Sequence, residues 1–151
     1  MADPLLHLDG ESDQRNPTLA THVNGTLVLV YRTNVLGYDA AVATSWHGPW
    51  TRIAQHVLAP LCAEDPHIFF DSVHHDVLRM ICHGGNNSAV PPTLSGHYFS
   101  TNLGRSWTQA GHLPPYSHNF SWANGTYQPL ARRERPSMVL DPTSGKPVAR
   151  K

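Results

Sequence analysis

The stretch Val23-Asn24-Gly25-Thr26-Leu27-Val28-Leu29-Val30-Tyr31-Arg32 decides the fold class. An Asn-Gly pair followed by an apolar, β-branched run predicts a tight turn entering a strand, and residues 16–22 supply the strand before it. Further outward, Tyr38-Asp39-Ala40-Ala41-Val42-Ala43-Thr44 predicts a third strand, ended by Ser45-Trp46-His47-Gly48-Pro49-Trp50, with a short outer strand around Thr51 to Ile53. Four successive strands joined by short turns make one antiparallel sheet.

The pattern then repeats. His67-Ile68-Phe69-Phe70 and Val77-Leu78-Arg79-Met80-Ile81-Cys82 flank a turn, and a Gly/Asn/Pro-rich loop leads to Gly96-His97-Tyr98-Phe99-Ser100 and on to Trp107. A third unit opens with Ser137-Met138-Val139-Leu140, turns at 141–145 and continues through Lys146-Pro147-Val148-Ala149. Four-stranded units at a period of ~40–50 residues predict an all-β chain of the β-propeller class. The expected units are about 16–54, 64–110 and 134–151, some two and a half antiparallel blades, with 1–15 as an extension or the remnant of a preceding blade. Closed propellers have ~4–8 blades, so the chain reads as a partial propeller. A small β-sandwich is the alternative that strand spacing alone allows.

Composition narrows the function. The 151 residues are 40% hydrophobic and 15% charged, as in one ordinary globular domain. Eleven Lys and Arg balance eleven Asp and Glu, so no net field draws in nucleic acid or an anionic membrane. No apolar run approaches the ~20 residues of a membrane-spanning helix. The first residues lack the basic start and apolar stretch of a signal peptide, whereas sequons at Asn24, Asn86, Asn119 and Asn124 fit a secreted chain, so the compartment stays open. Asn24 and Asn124 are equally well explained as Asn-Gly turn residues. Cys62 and Cys82 allow one bridge or two thiols. No nucleotide-binding glycine motif occurs, and the eleven histidines show no metal-ligand spacing, so neither cofactor nor metal is expected.

Three short motifs open the successive units: Asn16-Pro17, Glu64-Asp65-Pro66 and Glu134-Arg135-Pro136. The innermost strand of a propeller blade lines the central funnel, so its first residues face any ligand there. Glycoside hydrolysis needs an acid for the leaving oxygen and a second carboxylate as base or nucleophile, and Asp65 and Glu134 are expected to converge in those parts. Around them Asn16, Arg32 and Glu64 are candidate substrate contacts. Arg133 and Arg135 suit a carboxylate clamp, although such a run also serves as ion-pair partners for nearby acids. His83, at a strand end before Gly84-Gly85, is a candidate donor to a sugar hydroxyl.

The acid-Asp-Pro strand start, the Ser45 to Trp50 blade ending and the later Glu-x-Pro together resemble the five-bladed glycosidases of glycoside hydrolase family 43 and relatives, over about residues 16–149. That resemblance implies Glu134 as general acid and Asp65 as the Asp that tunes its pKa. It places Asn16 where the family carries its base, and an amide cannot take a proton from water; an earlier blade is the other source of a base. Ser100-Thr101-Asn102-Leu103-Gly104-Arg105-Ser106-Trp107 resembles the sialidase Asp-box, with Asn102 at the Asp position and Ser106 at the Thr position, a structural turn. The implied function is hydrolysis of glycosidic bonds by carboxylate acid/base chemistry. The alternative is a catalytically inactive propeller that binds carbohydrate or protein through the same funnel.

Overall fold

The computed structural model describes residues 14–33, 37–57, 62, 64–84, 95–111, 114–130, 133–141 and 143–148. The expected extension up to residue 13 and the sequon at Asn86 lie outside them. Strands β1 (Arg15–Thr21), β2 (Leu27–Arg32), β3 (Tyr38–Ala43) and β4 (Thr51–Val57) form one antiparallel sheet in chain order. Strands β5 (Glu64–Phe70), β6 (Leu78–His83), β7 (Ser95–Ser100) and β8 (Thr108–Gln109) form a second with the same order. A hairpin of β9 (Asn119–Ser121) and β10 (Tyr127–Pro129) follows. The described residues contain no helix, hence none long and apolar enough to cross a membrane.

The two four-stranded meanders are the blades of an open, partial β-propeller. Their first strands lie side by side, with the Ile68 amide donating to Thr18 Oγ1 at 3.1 Å. Alternation along the strands explains the packing: Val28 and Val30 on β2, and Leu78, Met80 and Cys82 on β6, are fully buried on one face of each sheet. With Tyr38, Ala40, Ile68 and Tyr98 they form a single core between the blades. Gly104, in the turn after β7, sits against it, since an added Cβ would meet Ala40 Cβ at 3.4 Å.

Several local expectations change. Only Gly25 (φ 88°), not Asn24, is left-handed in the first turn, where the Gly25 amide donates to His22 O at 2.9 Å. This is a three-residue loop rather than a two-residue Asn-Gly turn, and residues 122–126 repeat it. Strand β4 runs on to Val57, past the short outer strand expected, and β8 shrinks to two residues because 101–107 is consumed by a turn. In that turn Asn102 Oδ1 accepts from the Ser106 amide at 2.9 Å, and Ser100 Oγ accepts from the Gly104 amide at 2.9 Å. The third unit keeps its turn, with Asp141 Oδ1 accepting from the Ser144 amide at 2.7 Å, but its flanks meet only in a bridge between Leu140 and Pro147.

Cys62 and Cys82 form a disulfide, which closes the choice the sequence left open. It joins the entry to β5 with the middle of the second sheet across a Cα separation of 5.8 Å, and both residues are buried. Closing a loop of 20 residues removes unfolded-state entropy worth roughly 3 kcal/mol. The Cys62→Ser/Cys82→Ser protein is therefore expected to lose about that stability in urea unfolding, and an unchanged midpoint would show that the bridge adds nothing.

Candidate functional site

The site grows from the pre-proline positions. Asn16, Asp65 and Arg135 each precede a proline and each adopts a left-handed backbone, with φ of 50°, 53° and 54°. Pro17 and Pro66 cannot donate to the ladder, and the β1–β2 and β5–β6 registers both shift at these points. Asn and Asp tolerate that backbone better than most residues, and Arg135 shares it in front of its own proline.

One carboxylate ties the three together. Asn16 Nδ2 donates to Asp65 Oδ1 at 2.6 Å, and the Arg135 amide donates to Asp65 Oδ2 at 3.3 Å. These bonds span 49 and 70 residues of chain. Asp65 thus acts on structure through both oxygens. Asn16 stands in the place of the base that the family resemblance implied, and there it is a hydrogen-bond donor.

The residue before each clasped position sets the chemistry. Those residues are Arg15, Glu64 and Glu134, and across the ladder Arg15 faces Arg32 while Glu64 faces His83. One donor atom each from Glu64, His83 and Glu134 falls within 4.8 Å of the others. Two ionised carboxylates in that range repel, and the exposure of Glu134 lessens this. Arg32 Nη1 offsets part of it from 3.4 Å off Glu64 Oε2. Metal-ligand spacing along the chain misses this group because its members come from three separate segments.

A segment after the second sheet completes the site. Ser95 Oγ donates to Tyr116 O at 2.6 Å and accepts from the Tyr116 amide at 2.9 Å, which fixes Tyr116 to the start of β7. The Tyr116 ring lies under Arg133, whose guanidinium is 5.3 Å from its centroid and donates to Ser117 O at 2.9 Å. Burial pushes the Tyr116 phenol up to about 12 against the pull of Arg133, so it stays protonated. Its hydroxyl is buried without a hydrogen-bond partner. His118 stacks on His83 with ring centroids 6.4 Å apart, and His83 Nδ1 and His118 Nε2 are likewise buried and unpartnered. Tyr38 adds another such hydroxyl, held protonated by burial despite the pull of Arg32. A cavity of about 340 Å³ is lined by Tyr116, Arg133, Glu134 and Arg135 among others.

Six of the expected residues therefore gather in two layers: Asn16, Asp65 and Arg135 in the clasp, and Glu64, His83 and Glu134 above it. Arg32 serves Glu64. Arg133 is committed to Ser117 and Tyr116, so it is a wall of the cavity rather than half of a free clamp. Asp39, inside the first sheet, is fully buried and bound by Arg52 Nη1 at 3.4 Å and the His56 amide at 3.0 Å. Sequence reasoning missed Tyr116, whose one signal is its place directly after Pro114-Pro115.

No family model and no curated protein matches the chain. Among solved structures it is similar to the Hadza microbial sialidase Hz136, with 20% identity and a TM-score of 0.41 over 66% of this chain and 26% of that one. The chain thus spans about a quarter of that sialidase. The reading of the two sheets as blades rests on their own order and register.

Ser95→Ala removes both bonds to Tyr116, and the expected cost is ~1–3 kcal/mol. Amide exchange at Tyr116 should accelerate well beyond that at Met80 in the core. Equal protection in the two proteins would mean that Ser95 does not hold the segment.

Proposed function

We propose that the chain carries the carboxylate pair of a β-propeller glycoside hydrolase site, with Glu134 as general acid and Glu64 as the opposing nucleophile. The observation that supports this is that one carboxylate oxygen of Glu64 and one of Glu134 lie within 4.8 Å of each other, so two acids can face one glycosidic bond. In the first step Glu64 forms a bond to the anomeric carbon while the bond to the leaving oxygen breaks and Glu134 gives that oxygen its proton. Water then releases the sugar from Glu64, with Glu134 taking the proton back. No base is required at Asn16 in this scheme. Asp65 is a positioning residue that fixes Glu64 on one side and Glu134 on the other. Tyr116, which lines the cavity, carries an unmet hydroxyl of the kind a sugar's hydroxyl satisfies.

The units 16–54, 64–110 and 134–151 act in this reading as successive blades of one propeller. The buried disulfide and the exposed sequons at Asn24, Asn119 and Asn124 favour a secreted protein. The inactive carbohydrate-binding propeller remains the second reading, favoured by the Arg32 contact that offsets Glu64.

A panel of aryl arabinofuranosides, xylosides, galactosides and sialosides tests the proposal. Turnover of at least one is expected, with kcat falling ~10²–10⁴-fold in Glu134→Gln. The loss should shrink for a dinitrophenyl leaving group, which needs no proton. Sugar binding without turnover by the folded protein would replace this reading with the inactive one.

A further inference from the structure

We propose that Glu64, His83 and Glu134 form a binding site for one divalent first-row cation of the Zn²⁺ class. The three donors come from the start of β5, the end of β6 and the 133–141 segment, so the fold has brought together what the chain keeps apart. One imidazole nitrogen and two carboxylate oxygens match the ligand types of such ions and leave coordination positions open. All three donor atoms lie within 4.8 Å of one another, a span that side-chain rotation closes onto an ion.

A second, independent observation points to a ligand. His83 Nδ1 is buried without a hydrogen-bond partner, and an imidazole nitrogen left so is costly. His118 Nε2, on the ring stacked against His83, is in the same condition. A dication also relieves the repulsion between the two carboxylates. Arg32, at 3.4 Å from Glu64, makes a long contact of the kind that an ion readily displaces. The histidine donor favours Zn²⁺ over Ca²⁺, which takes oxygen ligands.

The site goes beyond the hydrolase reading but uses its carboxylates. An ion on Glu134 occupies the oxygen that would carry the proton, so the ion-bound protein is the hydrolytically silent form.

The test is calorimetric titration of ZnCl₂ and CaCl₂ separately into chelator-treated protein. Saturable binding of Zn²⁺ at about one ion per chain is expected, at least ~10-fold tighter than Ca²⁺ and at least ~10-fold weaker in Glu134→Gln and in His83→Gln. The His74→Ala/His75→Ala protein, altered only in an exposed turn, should bind as the unaltered one does. Glu134 is exposed, so Glu134→Gln carries the test even where His83→Gln fails to fold. No saturable Zn²⁺ binding below about 1 mM, full affinity in Glu134→Gln, or loss in the turn variant would each overturn the proposal. Glycoside turnover is measured separately in chelator, so its absence beside intact Zn²⁺ binding would defeat the hydrolase reading alone.

Discussion

The Asp65 carboxylate is the constraint on which the arrangement depends. It accepts one hydrogen bond from the first unit, through Asn16, and one from the third, through the Arg135 amide, while itself beginning the second. Charge-assisted bonds of this kind are stronger than neutral ones, and here they join residues far apart in sequence. The backbone is left-handed at all three points, at the starts of β1 and β5 and at Arg135. That conformation disfavours any non-glycine residue by of order 1–3 kcal/mol, so it persists only because the clasp and the neighbouring sheets over-determine it.

The other features support that clasp from below and behind. The core between the sheets holds β1 against β5, so Asn16 and Asp65 approach each other on strands already placed. The disulfide anchors the entry to β5 to β6 on the same side as Glu64 and His83. Ser95 and Tyr116 then close the wall. With the clasp fixed, the neighbouring residues Glu64 and Glu134 have little freedom to diverge, and opposed carboxylates result without any local motif that brings them together.

Much of this was legible in the sequence, and the limits are physical. The first sheet follows from the alternation of Leu27 to Tyr31 and from the turn at Gly25. The repeated pre-proline motif marked Asn16, Asp65 and Arg135, which share a left-handed backbone. Sequence could not separate the role of Asp65 from that of Glu64, because adjacent residues on a strand face opposite ways and only the observed left-handed turn decides which one points to its neighbours. The cluster of Glu64, His83 and Glu134 had no sequence signature, since ligand spacing is informative only when ligands share an element. Val139 and Leu140 read as a strand, yet a strand needs a run of paired residues, and among the described residues Leu140 meets its partner only in an isolated bridge to Pro147.

A double-mutant cycle on Asn16→Ala and Asp65→Ala, read by urea unfolding, tests the clasp most directly. The account predicts that the two losses are coupled by about 1 kcal/mol or more, as for residues in direct contact. Losses that add to within ~0.3–0.5 kcal/mol would contradict it.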